Sequence, residues 1–252
     1  MIYKTKKFND GQVTAIVEGS GNLEVVVKGN SYEDLFLAAS IKEAWSEKNK
    51  LNKTLTASLT ILCLIAQRSD RRFNEGESFD LKVVANFINS MNYDEVKIFH
   101  PHSDTSIALI NKASKISHFT YVEKVYQELG NPVLVSPDAG AYKATFDIAK
   151  KLGASLVPSN KVRVNGEPLI SIQGDVNAKE CLIIDDLADG GRTFKFLAKA
   201  LKDQGAKKVF LYVSHGQFNY GFKELKEYID HVYCTNSFRD IEDNYVTQFK
   251  IS

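Results

Sequence analysis

Residues 182–193 read Leu-Ile-Ile-Asp-Asp-Leu-Ala-Asp-Gly-Gly-Arg-Thr, and their types and spacing are those of an anion-binding loop. An apolar strand ends in two acids, Asp185 and Asp186, and the chain turns through Asp189, Gly190 and Gly191 into a helical pattern over residues 193–204. Glycines let the backbone approach a phosphate closely, and the helix behind them presents N–H groups and the positive end of its dipole. The acids suit ribose hydroxyls or Mg²⁺ better than phosphate. Arg192 adds a cation, and Thr193 a hydroxyl, to the same loop. The run points to a sugar phosphate held at the carboxyl end of a parallel strand, where open α/β sheets usually bind ligands. A plainer account is a buried strand, a turn and a helix cap. Two adjacent acids after an apolar strand weigh against it, because paired negative charge there is costly without a cation or several donors.

Four other clusters carry groups capable of chemistry. His100-Pro101-His102 follows the apolar pattern of residues 95–99, so both imidazoles belong at a strand end, where a neutral ring can ligate a metal or contact a nucleotide phosphate. Arg68-Ser69-Asp70-Arg71 lies upstream, ahead of Gly76-Glu77-Ser78. Phe8-Asn9-Asp10-Gly11-Gln12 is, by itself, only a turn signal. Lys161-Val162-Arg163 alone reads as a solvated basic turn.

In register, these segments resemble the ribose-phosphate pyrophosphokinase (phosphoribosyl pyrophosphate synthetase) family. The form Asp-Asp-x-x-Asp-Gly-Gly-x-Thr is the ribose-phosphate loop that this family shares with type I phosphoribosyltransferases. Arg68, Asp70, Arg71 and His102 match the family's Arg-Gln-Asp-Arg and Asp-Leu-His-Ala, with Ser69 in place of Gln and His100 in place of Asp. Ser69 is too short to reproduce a Gln contact, and His100 cannot supply negative charge beside a metal. Phe8, Asp10 and Gln12 stand at the family's Phe-Ser-Asp-Gly-Glu, which contributes to the ATP site across a subunit boundary. Val135-Ser136-Pro137-Asp138-Ala139-Gly140 looks like its Val-Ser-Pro-Asp-x-Gly, and Lys161 and Arg163 stand at the Lys-x-Arg of its mobile catalytic loop. His215 and Thr235-Asn236-Ser237 match later landmarks without an assigned role.

The resemblance implies that ATP donates its β,γ-diphosphoryl group to the anomeric hydroxyl of ribose 5-phosphate. ATP would lie on Phe8, Asp10, Gln12, Arg68, Ser69, Asp70, Arg71 and His102. The sugar phosphate would lie on Asp185, Asp186, Asp189, Gly190, Gly191, Arg192 and Thr193. Mg²⁺ would sit near His102 and Asp138, with Lys161 and Arg163 closing on the transferring group; losing either cation should cost at least a few kcal/mol of barrier. A homo-oligomer, dimer or hexamer, is implied too. The match covers most of residues 7–252 and implies a shortened, divergent member, without the family's leading strand and helix or its C-terminal helix. Arg192, where the family commonly has a small residue, opens the alternative of a larger acceptor bearing a ribose 5-phosphate end, such as ADP-ribose. A phosphoribosyltransferase would explain residues 185–193 but not 8–12, 68–71 or 102. A non-catalytic regulatory homologue would explain Ser69 and His100 but not Asp138, Lys161 and Arg163.

Strands and helices must position these groups. Alternating residues 12–28 around Gly19-Ser20-Gly21 predict a hairpin, and residues 31–47 a helix. Residues 56–65 read as a strand, 78–92 as a helix capped by Ser78, and 95–99 as a strand. Further strands fall at 132–136, 155–157, 169–173, 181–184 and 209–213, with helices at 142–151 and after the last two strands. This rhythm predicts an α/β fold of two similar phosphoribosyltransferase-like domains, each a mostly parallel sheet flanked on both faces by helices, divided as 1–120 and 121–252.

Composition bounds the rest. The chain has 252 residues, 44% apolar and 25% charged, with a formal charge of +1, so any anion site is local and no broad nucleic-acid footprint is expected. No uninterrupted apolar stretch of membrane-spanning length and no signal-peptide core is present, and a cytoplasmic protein is expected. Cys63, Cys181 and Cys234 are far apart in apolar runs and read as buried thiols.

Overall fold

The structure is a computed structural model that describes the backbone of residues 2–164 and 167–251 and the side chains of residues 3–160 and 170–251. The chain divides into two compact units, Met1–Ser117 and His118–Ser252.

In the first unit, β1 (Ile2–Lys7) and β2 (Val13–Glu18) form an antiparallel ribbon, and β3 (Leu23–Val27), β4 (Ala57–Ile61), β5 (Glu95–Phe99) and β6 (Ala113–Ile116) form a four-stranded parallel sheet in that order. The hairpin expected over residues 12–28 is not formed: β2 pairs back onto β1, with the turn at residues 8–12, and β3 joins a different sheet beside β4. The reason lies in burial. Leu23, Val25 and Val27 alternate into the core and pair with Ala57, Leu59 and Ile61, whereas the two-residue-period signal alone cannot say which strand is the partner. Helix α1 (Tyr32–Lys48) starts at Ser31, whose side chain accepts a hydrogen bond from Asp34 N. Helix α2 (Asp80–Ser90) starts later than expected, with Phe79 rather than Ser78 at the N-cap. Its capping contacts come instead from Ser69, whose Oγ accepts from Asp80 N at 3.4 Å and whose carbonyl accepts from Leu81 N at 3.2 Å. A short α3 (Thr105–Leu109) precedes β6.

Leu35, Ala38, Ile41 and Trp45 of α1 and Leu81, Val84, Ala85 and Ile88 of α2 share one core with Leu23, Val25, Leu59 and Ile61. The alternate positions, such as Glu24 and the 57% exposed Val26, face away. Within its own unit this sheet therefore carries both long helices on one face, not one on each.

The second unit is built on a seven-stranded sheet in the order β13-β12-β11-β10-β7-β8-β9. Its strands are β7 (Val133–Ser136), β8 (Leu156–Val164), β9 (Glu167–Ile172), β10 (Glu180–Ala188), β11 (Lys208–Gly216), β12 (His231–Thr235) and β13 (Val246–Phe249), all parallel except the β8–β9 hairpin. Both faces are covered, and the strand period sorts the residues between them. Cys181, Ile183, Val209, Leu211 and Val213 pack with α6 (Arg192–Asp203), while Leu182, Ile184, Phe210 and Tyr212 pack with α4 (Phe119–Glu128) and α5 (Ala139–Leu152). The helix expected after β11 is reduced to one 3-10 turn, Leu225–Glu227. Phe218 and Gly221 adopt positive φ there, at 46° and 69°, and a chain reversed twice cannot run as an α-helix. Among the described residues no helix is long and apolar enough to cross a membrane.

Candidate functional site

Strand order in the second unit reverses between β7 and β10: the chain leaves β7 towards β8 and β9 on one side, then returns at β10 and continues to β11, β12 and β13 on the other. The carboxyl ends of two parallel strands whose connections diverge leave a crevice, which is where open α/β sheets take ligands. Asp138 follows β7, and residues 185–191 lie at the end of β10, so the topology brings these acids and glycines to one edge.

Strand β10 runs further than its apolar core indicates. Asp185 pairs in register with Val213, and Ala188 with Gly216, so both acids lie within the strand instead of after it. As neighbours they point to opposite faces. Asp185 Oδ1 accepts from Asp186 N at 2.9 Å. Burial pushes the Asp185 carboxyl well above the ordinary carboxylate range, and the charges of Asp186 and Asp138 push it further. Acids so placed fit a cation. Among the described residues no set of three or more His, Cys, Asp or Glu side chains is arranged to hold a metal unaided. A hard cation here would complete its shell with substrate oxygens and water, as Mg²⁺ commonly does.

Asp138 is the N-cap of α5, its Oδ1 accepting from Ala141 N at 3.0 Å. A Cβ at position 140 would sit 3.2 Å from that same oxygen, a close contact that the glycine avoids. Two buried serines fix the loop: Ser136 Oγ donates to Asp138 O at 2.8 Å, and Ser159 Oγ lies 2.8 Å from Ser136 O and 2.9 Å from Pro137 O. Ser159 carried no sequence signal, because a lone serine before a basic pair marks nothing by itself.

Gly191, at φ 74°, is the N-cap of α6 and, being glycine, offers no side-chain cap of its own. The first turn of a helix of this length presents backbone N–H groups and the positive end of its dipole, which suits an anion. Arg192 is the first helical residue, exposed, with its guanidinium 5.5 Å from the Phe196 ring centroid. A neighbouring loop, unforeseen from sequence, is tied to this one. Asn219 N donates to Asp189 O at 3.0 Å, Asn219 Nδ2 to Asp189 Oδ1 at 2.6 Å, and Gln217 N to Ala188 O at 2.8 Å. The Tyr220 ring lies where a Cβ on Gly190 would be, 2.7 Å from it. Below, buried His215 Nδ1 lies 2.8 Å from Ser237 Oγ, which donates to Ser214 O at 2.9 Å, so these two landmarks brace the strand ends. Half-buried His118 stacks on Tyr212 at 6.1 Å, and desolvation of its ring, with His215 nearby, lowers its pKa to about 4.

Lys161 and Arg163 lie on β8, paired in backbone register with Ile170 and Pro168. Their side chains fall outside the described ones.

In the first unit, residues 8–12 are the β1–β2 turn, closed by Phe8 N to Gln12 O at 2.8 Å and by Gln12 N to Asp10 Oδ1 at 3.0 Å. Phe8 is 39% exposed, with Lys6 Nζ 4.4 Å from its ring centroid. The loop after β4 carries Arg68 to Arg71, and the loop after β5 carries His100 to Ser103. Asp70 is buried and held by a fork from Arg71, Nε to Oδ1 at 2.8 Å and Nη2 to Oδ2 at 3.1 Å. The Arg71 bonds, against the opposing effect of burial and together with Ser103, hold the Asp70 carboxyl below the usual range. Its oxygens are thus engaged within the protein, and Ser69 is engaged at α2. His102 is exposed and its N–H donates to Gln67 Oε1 at 3.0 Å. His102 and Asp138, expected to share a metal, belong to different units.

Residues 137–250 match the family model of the phosphoribosyl synthetase-associated domain. The chain is 33% identical over 159 residues to the ribose-phosphate pyrophosphokinase of Buchnera aphidicola subsp. Acyrthosiphon pisum, covering 60% of this chain and 50% of that protein. It thus spans about half the length of that curated relative. It is 27% identical over 244 residues to the one of Thermococcus kodakarensis, covering 92% and 84%. The crystal structure of phosphoribosylpyrophosphate synthetase from Mycobacterium smegmatis superposes with a TM-score of 0.79 at 19% identity, over 99% of this chain and 86% of that one, which shows the shared fold.

Proposed function

From the premise that this chain belongs to the ribose-phosphate pyrophosphokinase family, we propose that it transfers the β,γ-diphosphoryl group of ATP to ribose 5-phosphate, giving phosphoribosyl pyrophosphate and AMP. The observation that carries the reading is the strand-order reversal, which brings Asp138 after β7 and the acids and glycines at the end of β10 to one edge, ahead of the glycine N-cap of α6. The 5-phosphate binds at Gly190, Gly191, Arg192 and Thr193, where backbone N–H groups and the helix dipole compensate its charge. Asp185 and Asp189 orient ribose hydroxyls, and Asn219 keeps the Asp189 carboxylate in place. The anomeric oxygen forms a bond to the β-phosphorus as the bond from that phosphorus to the α–β bridging oxygen breaks. AMP leaves with the bridging oxygen, and the anomeric proton is released. Such a transfer depends on positioning and on compensating charge over the phosphoryl oxygens, the task assigned to Lys161 and Arg163. Mg²⁺ held at Asp138 and Asp185 would supply charge neutralisation of the phosphates. On the nucleotide side Arg68 and His102 contact ATP, while Asp70 and Ser69 hold the loop that presents them.

A second reading has an observation of its own. Arg192 is exposed beside the phosphate loop, and Tyr220, 86% exposed, stands next to Gly190, which leaves a cation and an aromatic face for an acceptor extending beyond its 5-phosphate, such as ADP-ribose. AMP release from ATP and Mg²⁺ with either acceptor separates the two. Turnover with ribose 5-phosphate supports the first; turnover with ADP-ribose alone supports the second. Product formed from phosphoribosyl pyrophosphate and a base without ATP would instead identify a phosphoribosyltransferase. No turnover in any of these assays would leave a non-catalytic homologue.

A further inference from the structure

We propose that Gln67 is a positioning residue of the nucleotide subsite, acting through His102; this rests on the reading of residues 68–71 and 102 as that subsite. Gln67 is 3% exposed, and a buried carboxamide must have its oxygen and nitrogen partnered. Both partners are found in the upper rim of the first sheet. Oε1 accepts from His102 N at 3.0 Å, and Nε2 donates to the buried Cys63 Sγ at 3.6 Å. The side chain therefore spans from the segment that extends β4 to the loop that follows β5.

That second loop needs an outside hold. His100 sits at φ 38°, in the left-handed region that a non-glycine residue occupies at a cost of about 1–3 kcal/mol unless its surroundings fix it. On one side the loop is anchored by His100 N to Ile116 O at 3.0 Å; past Pro101, Gln67 anchors it at His102 itself. On the other side, Ala66 is also left-handed, at φ 63°, and turns Gln67 inward while Arg68 continues outward. The same carboxamide thus sets the distance between the residue that carries the imidazole and the residue that precedes the arginine cluster. Asparagine would be one methylene too short to reach both partners, and methionine fills the volume without an acceptor.

The test is calorimetric titration of MgATP into the full chain and into Gln67→Met, His102→Ala and the double variant, alongside initial rates with ribose 5-phosphate. The expected result is that Gln67→Met weakens MgATP binding and raises its KM about tenfold, the scale of one lost hydrogen bond. The KM for the pentose phosphate should stay within about twofold, and Gln67→Met should add nothing in the His102→Ala background. Should Gln67→Met fail to fold, Gln67→Asn is expected to show the same pattern and decides the matter. Unchanged MgATP affinity in a folded variant, or independent effects of the two substitutions that multiply, would overturn the inference. Wild-type protein that binds MgATP but never releases AMP sinks the transferase reading and leaves the titration to judge Gln67. Wild-type protein that does not bind MgATP sinks both.

Discussion

Asp185 shows how a single side chain can be costly in the folded protein and still be retained by the site. Its folded-state pKa lies above its unfolded value, so between the two the native state holds a proton that the unfolded chain has released, and stability declines as pH rises from about 4 towards neutrality. Asp185→Asn is expected to raise the melting temperature at pH 7, by roughly 0.5–2 kcal/mol of stability, and to flatten that decline while abolishing turnover. Thermal scans at pH 4 and pH 7 check it, and added Mg²⁺ should stabilise the wild type more than the variant. His118 has the opposite sense. Its pKa falls to about 4, so the unfolded chain binds the extra proton and stability drops as pH falls from 6.5 towards 4, by up to ~1.4 kcal/mol per pH unit. His118→Phe should remove that component in a urea titration at pH 5 and 7. The acids and glycines of this site were legible because their types and spacing are unusual. Ser159, Asn219 and His118 were not, since each matters through a partner distant in sequence.

At the level of elements, the loop into α6 separates two kinds of glycine. Gly191 sits at φ 74°, and a Cβ there would meet the buried Leu225 side chain at 3.0 Å; Gly190 faces only the exposed Tyr220 ring. Gly191→Ala is therefore expected to destabilise by about 1–2 kcal/mol, whereas Gly190→Ala should cost little because Tyr220 can turn away. Equilibrium urea unfolding of the pair measures the contrast. Sequence patterns placed α1, α2, β5 and α6 within a few residues, since caps and apolar periods are local. They misplaced the partner of residues 13–18 and the helix after β11. Pairing between strands depends on burial far along the chain, and turns such as 217–221 depend on contacts with another loop. The expected end of β10 was early for a related reason: Asp185 and Asp186 look like strand breakers until their register with β11 is seen.

Across the molecule, α/β alternation conveyed the class and the parallel sheets, and the match of motifs conveyed the family, but neither contained the strand order. In the first unit the order is sequential; in the second, β10 lies between β7 and β11. The two sheets therefore differ in how far apart in sequence their neighbours are, which sets how slowly pairings form. Pulsed hydrogen exchange during refolding is expected to protect amides at the β3–β4 and β4–β5 pairings before those at β7–β10. Equal protection rates at all three would contradict it.

The late arrival of β10 has a consequence during synthesis. A ribosome extruding this chain completes β7, β8 and β9 while the inner margin of β7 still has no neighbour, and that margin is a bare row of amide and carbonyl groups. Until β10 emerges the nascent polypeptide offers a template on which a stray strand can dock, so a translation pause that leaves β9 outside the ribosome and β10 still within its exit tunnel should favour aggregation more than one placed after β10 has emerged.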